Sequence, residues 1–160
     1  MYEVTGVMTA IVYKIGDLLA STQKVIAHGC NSHGVMGSGV AWQIKKKYPN
    51  VFEVYALRHK VFGLNLGDIV PVATVDGRIV VNCITQENFG RNSTRYVDYD
   101  AIAQCIEKMD RHVKDWEVNE IAFPRIGAGL GGGDWNVIEE IIVKTARNFV
   151  PVVYDFDGKV

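Results

Sequence analysis

The sequence predicts an α/β fold, a three-layer α/β/α sandwich with a mixed central sheet. Three observations carry that expectation. Short β-rich runs alternate with segments of helical period, as strand–helix–strand units do. One Asp-Gly pair, Asp76-Gly77, joins two β-rich runs directly, a hairpin signal that adds an antiparallel neighbour. Two glycine-rich stretches each stand between a strand run and a helical run, where loops at the carboxyl ends of strands form ligand crevices.

Each element has its own local signal. Ala10 to Ile15 is β-rich and stops at Gly16-Asp17. Lys24 to His28 is a second short apolar run, leading into the polar loop Gly29-Cys30-Asn31-Ser32-His33-Gly34. Between Gly39 and Tyr48 the period becomes helical, with Val40 and Ile44 on one face. Pro49 interrupts it and opens a second helix over about residues 50–61. Asp68 to Thr74 and Arg78 to Ile84 are the hairpin strands. Thr85 to Arg95 is polar, irregular and long enough for a functional loop. Ile102, Ile106, Met109 and Val113 give Tyr99 to Trp116 an amphipathic helical face. Glu120 to Phe123 is a strand, and Pro124 to Gly133 is the second glycine-rich loop. Asp134 caps a helix running through Val137, Ile138, Ile141, Ile142 and Ala146. Val150 to Phe156 is the last strand.

Composition narrows the function classes. At 160 residues the chain fits one domain with one sizeable core. Hydrophobic residues are 48% and charged residues 22%, which argues against disorder. The net charge of -1 lacks the basic excess of a general nucleic-acid or membrane-surface binder. Lys45-Lys46-Lys47 is read as a solvated helix face. Cys30, Cys83 and Cys105 are widely spaced and form no CxxC pair, so neither zinc nor a disulfide framework is expected. Core cysteines point to a reducing, cytoplasmic compartment. No apolar run is long enough to span a bilayer, and no signal peptide is visible at the first residues. Met8 is an alternative start, and residues 1–8 are expected to be a loosely held extension.

The first glycine-rich loop runs from His28 to Val40 and the second from Pro124 to Gly133. Glycines let backbone N–H groups approach an anion, and a following helix N-terminus adds a favourable dipole. One such loop is often only a tight turn. Two in equivalent settings point to a phosphate-bearing ligand. Neither has the spacing of a dinucleotide fingerprint or the Gly-Lys-Ser/Thr of a P-loop, which disfavours nucleotide-triphosphate hydrolysis.

Several spaced motifs in order then resemble a macro domain. They are Ile15-Gly16-Asp17-Leu18, Ile26-Ala27-His28-Gly29-Cys30-Asn31, Gly37-Ser38-Gly39-Val40-Ala41, and Pro124-Arg125-Ile126-Gly127-Ala128-Gly129-Leu130 with Trp135. The likeness is nearest to the branch holding ADP-ribose 1''-phosphate phosphatases and the terminal ADP-ribose glycohydrolase. It implies one macro domain over residues 1–160 that binds ADP-ribose without a cofactor or metal. By resemblance, Asp17 accepts from the adenine amino group and Leu18 makes backbone contacts. Asn31 contacts the distal ribose. Gly37, Ser38, Gly39 and Val40 form the first phosphate and ribose loop, Gly127, Ala128, Gly129 and Leu130 surround the diphosphate, and Phe156 packs on adenine. The residues alone leave alternatives: Asp17 as a turn cap, Asn31 as an Asx-turn residue, Phe156 as core or tail. Arg125 is read as the partner of a surface carboxylate rather than of phosphate.

His28 matches a histidine of the phosphatase branch and is a candidate to protonate a leaving group or orient water. The alternative is a histidine bonded to backbone at a strand end. Asp134 is a second candidate acid or base, or simply a helix cap, and His33 reads as a solvated loop residue. The glycohydrolase branch uses a lysine and an aspartate; those positions fall on Gln86 and Gly131 here. Asn88-Phe89-Gly90-Arg91-Asn92-Ser93 resembles the flexible loop of the phosphatase branch. The expected activity is hydrolysis of ADP-ribose 1''-phosphate, with His28, Asn31 and Asp134 as the catalytic set. The alternatives are a non-catalytic ADP-ribose reader and a hydrolase of ADP-ribosyl groups on protein or nucleic acid.

Overall fold

A computed structural model describes residues 9–90 and 94–156. The expected N-terminal extension, residues 1–8, lies outside that range, as do residues 91–93 of the irregular loop. The strands are β1 Val12–Ile15, β2 Val25–Asn31, β3 Ile69–Ala73, β4 Ile79–Gln86, β5 Glu120–Phe123 and β6 Val150–Asp155. The helices are α1 Gly39–Lys47, α2 Pro49–Phe62, α3 Tyr99–Trp116 and α4 Trp135–Thr145. A short 3-10 turn, Leu18–Ala20, follows β1.

The strands form one sheet in the order β1-β6-β5-β2-β4-β3. All pairs are parallel except β3 with β4, so the sheet is mixed. The antiparallel pair turns at Thr74 to Arg78, where Tyr48 Oη donates to Asp76 at 2.7 Å. Alternate residues of each central strand point to opposite faces. Val25, Ala27, Val81 and Cys83 pack with α3 and α4 around Met109, Phe123 and Ile138. Cys30, Val80 and Ile84 pack with α1 and α2 around Ile44, Val51 and Tyr55. The three-layer α/β/α arrangement follows from these two apolar faces, each covered by a helix pair.

Two strands run further than the sequence suggests. β2 continues through Gly29, Cys30 and Asn31, which read as loop, and β4 reaches Gln86. The register shows why: Gly29 pairs with Cys83 and Cys30 with Ile84 before a bulge at Asn31. At Gly29 an added Cβ would stand 2.8 Å from Thr85 Oγ1, so glycine is required there for close packing rather than for a turn. The parallel strands β2, β4 and β5 thus end on one edge of the sheet, and the segments that leave them converge.

Candidate functional site

The convergence leaves a cavity of about 570 Å³. Its floor is the end of β2, from His28 to Asn31. One wall is Gly37, Ser38, Gly39 and Val40 at the start of α1. The other is Gly127, Gly129, Leu130 and Gly131 after β5, and Gln86, Phe89 and Gly90 close one end. That size suits a ligand of nucleotide-sugar dimensions.

Both walls present backbone donors. Ser38 caps α1 without a side-chain hydrogen bond, so the first-turn amides face the cavity with the positive end of the helix dipole. Among the described residues, the amides of Gly127, Gly129 and Leu130 make no hydrogen bond. Gly127 needs a φ of +79°, and a Cβ there would stand 2.9 Å from Val97 and 3.0 Å from Ile102. A side chain would therefore push this loop away from the core. Apolar side chains line the same space: Val35, Val40, Phe89 and Leu130 are exposed large hydrophobics, and all four face the cavity.

His28 lies at the floor, 1% exposed. Its Nε2 is 2.6 Å from Asn82 Oδ1, while Asn82 Nδ2 donates to Val70 O at 3.2 Å. This orientation makes the imidazole the donor through Nε2–H and leaves Nδ1 unprotonated. Burial lowers the pKa of His28 to about 4, the Asn82 bond only partly opposing it. The ring is therefore neutral at neutral pH. Cys30 Sγ sits 3.5 Å from Nε2, and burial pushes that thiol well up.

Asn31 also lines the cavity, but its side chain is engaged within the loop. Nδ2 donates to Val35 O at 2.8 Å, and Oδ1 accepts from His33 N at 2.9 Å. Tyr55 Oη, from α2, donates to the backbone oxygen of Asn31 at 2.6 Å. The Asx-turn geometry shapes the loop that frames the cavity. His33 Nε2 meets Asn88 Oδ1 at 3.1 Å, and its ring lies edge-on to Phe89 at 6.2 Å. The two loops that frame this end are thereby cross-linked.

Five of the other expected residues stand outside the cavity wall, and a sixth residue, Arg125, lines it with its side chain turned away. Ala128 packs against the α3–α4 core. Asp17 caps the 3-10 turn by accepting from Leu19 N at 3.0 Å, and Leu18 is buried with Ile26 and Ala122. Asp134 caps α4, accepting from Asn136 N at 2.9 Å. Phe156 is 61% exposed just beyond β6. Arg125 lines the cavity and pairs with Asp155, Nε to Oδ1 at 2.7 Å, as the surface-carboxylate reading anticipates. Sequence reasoning named Gln86 only as the place of the glycohydrolase lysine and Phe89 only within the flexible loop, and gave neither a ligand contact; the cavity includes both. The end of β4 and the polar loop after it were the available signals.

Among the described residues no group of three or more His, Cys, Asp or Glu side chains is placed to hold a metal ion. No helix among them is long and apolar enough to cross a membrane.

Comparison with known proteins agrees with this geometry. The family model described as the macro domain matches residues 27–142. The DNA ADP-ribosyl glycohydrolase of Mycobacterium tuberculosis is 31% identical over 89% of the chain, which spans only 40% of that protein. The ADP-ribose 1''-phosphate phosphatase of Candida glabrata is 28% identical over 92% of the chain and 99% of its own length. The solved macrodomain of Mycobacterium tuberculosis DarG superposes with a TM-score of 0.79 at 27% identity, covering 92% of this chain and 98% of that one. The chain belongs to the macro domain family.

Proposed function

We propose that the chain binds ADP-ribose in this cavity and hydrolyses the terminal phosphate of ADP-ribose 1''-phosphate. The observation that carries the reading is the cavity itself: two glycine-rich walls with free amides, joined at one end by Gln86 and Gly131. Amides and a helix N-terminus neutralise a diphosphate without a basic cluster. The exposed apolar side chains cover the riboses, and Asp17 and Phe156 receive the adenine. Candida glabrata's phosphatase, matched along nearly its whole length, supports the same substrate class.

In the reaction, water attacks the terminal phosphorus, the bond from phosphorus to the C1'' oxygen breaks, a proton of the attacking water ends on that oxygen, and ADP-ribose and inorganic phosphate separate. A histidine with a pKa of about 4 is a poor proton donor at neutral pH. His28 therefore serves to orient water or a substrate hydroxyl rather than to protonate the leaving group. Asn31 shapes the loop around the distal ribose, and Asp134 acts through α4 and the loop before it.

Calorimetric titration with ADP-ribose, followed by phosphate release from ADP-ribose 1''-phosphate, tests both halves. Binding without release would leave the reader reading, which the neutral, buried His28 favours. Release of ADP-ribose from modified DNA would instead favour the activity that the Mycobacterium tuberculosis relative is named for. Absence of heat with ADP-ribose would remove the whole proposal.

A further inference from the structure

We infer that Arg125 is a positioning residue that fixes the distance between the diphosphate loop and the adenine end, so that the site favours ligands reaching both. The inference rests on the ADP-ribose reading above and deepens it.

Arg125 stands two residues before Gly127 and lines the cavity. Its backbone oxygen accepts from Ala128 N at 3.0 Å, closing the first turn of the diphosphate loop. Its side chain leaves the cavity and lies in a groove between β1 and α4, with Tyr13, Trp135, Glu139 and Asp155. There Nε and the second guanidinium nitrogen donate to the two Asp155 oxygens at 2.7 and 3.1 Å. The guanidinium carbon is 5.7 Å from the Tyr13 ring centre and 5.3 Å from that of Trp135. Trp135 Nε1 donates to Tyr13 Oη at 3.0 Å, and Tyr13 Oη donates to the Glu139 carboxylate.

Asp155 is the other half of the device. Its backbone oxygen accepts from Gly16 N at 2.8 Å, and Gly16 precedes Asp17. The next residue along the chain is Phe156. One residue therefore ties down both segments that receive the adenine, and its carboxylate holds the residue that opens the diphosphate loop.

The groove is not a second ligand site. Arg125 is spent on Asp155, and Tyr13 is spent on Glu139 and Trp135. A half-exposed ion pair is usually a weak tie, because two long side chains must be ordered to make it. Here the guanidinium is bidentate and flanked by aromatic rings, a geometry that a lysine ammonium does not reproduce.

The test compares wild type with Arg125→Met, Arg125→Lys and Asp155→Asn. Each is titrated with ADP-ribose, which spans both ends, and with ribose 5-phosphate, which occupies only the phosphate and ribose end. Arg125→Met should weaken ADP-ribose by about tenfold and ribose 5-phosphate by less than about twofold, with Arg125→Lys between. The double variant Arg125→Met with Asp155→Asn should be no weaker than Arg125→Met alone. Should Arg125→Met not fold, Asp155→Asn removes the same pair and is read in the same way. Unchanged ADP-ribose affinity in a folded variant would overturn the inference alone, as would equal loss of both ligands. A wild-type protein that binds no ADP-ribose would overturn this inference and the function together.

Discussion

The buried imidazole at the cavity floor makes the stability of this protein depend on pH in a defined direction. His28 has its pKa lowered from 6.5 to about 4, with desolvation as the main cause. In the unfolded chain it takes up a proton below pH 6.5, whereas the folded chain holds it neutral. Its contribution is therefore fully present above pH 6.5 and lost as pH falls through that value towards 4. Integrated down to pH 4, the loss is about 3 kcal/mol, a large part of the stability of a small domain. The perturbation is His28→Gln, which keeps an amide donor for Asn82 and does not titrate. Urea denaturation of both proteins from pH 7.5 to pH 4 gives two stability curves. Other titrating groups cancel in their difference, so wild type should lose about 3 kcal/mol more than the variant. Nitrogen-15 spectra of the ring should also show an Nε2–H tautomer without titration near pH 6.5. Parallel stability curves, agreeing within about 0.5 kcal/mol, would refute the assignment of a neutral buried ring.

Three further outcomes follow from the same geometry. Gly127→Ala places a Cβ at positive φ against Val97 and Ile102 and should cost about 2 kcal/mol in denaturant midpoints, with a clear drop in calorimetric affinity for ADP-ribose. Asn82→Leu removes the acceptor of the His28 Nε2–H and leaves a buried donor unpaired, so it should destabilise by about 1–3 kcal/mol in the same assay. His28→Ala should lower phosphate release by about tenfold or more while changing ADP-ribose affinity by less than about threefold.

Local pattern carried much of the fold. Ile102, Ile106, Met109 and Val113 repeat at helical spacing, and all four are buried on α3, whose ends are the expected ones. The hairpin at Asp76-Gly77 is equally local. What escaped the sequence depends on distant neighbours. Gly29 looks like a loop glycine, but Thr85 on the adjacent strand decides its role. A histidine at a strand end reads as available for catalysis. Its neutral state is set by burial, and its tautomer by Asn82, 54 residues away, which β2–β4 register places opposite it. Asp17 and Asp134 are caps by local geometry, as their turn contexts allowed, and that does not depend on any ligand. The glycine loops were legible because their chemistry resides in the backbone, which sequence marks directly by the absence of side chains.

The far end of the cavity bears on the choice between hydrolases. Gln86 Nε2 donates to Asn88 O at 2.7 Å, and its Oε1 faces Gly131. A Cβ at position 131 would stand 3.2 Å from that Oε1 and 2.7 Å from the carbonyl oxygen of Gly127. An aspartate there would require the diphosphate loop to shift. Gly127 has little room on its core side, since Val97, Ile102 and Ile138 stand 2.9, 3.0 and 3.2 Å from where a Cβ on it would lie. Glutamine and glycine therefore fit one another as a pair, and the lysine–aspartate pair of the glycohydrolase branch would need a different loop backbone. Replacing two side chains would not convert one site into the other. That steric coupling, more than the mere identity of residues 86 and 131, weighs against a lysine–aspartate site in this backbone and is consistent with the proposed attack by water.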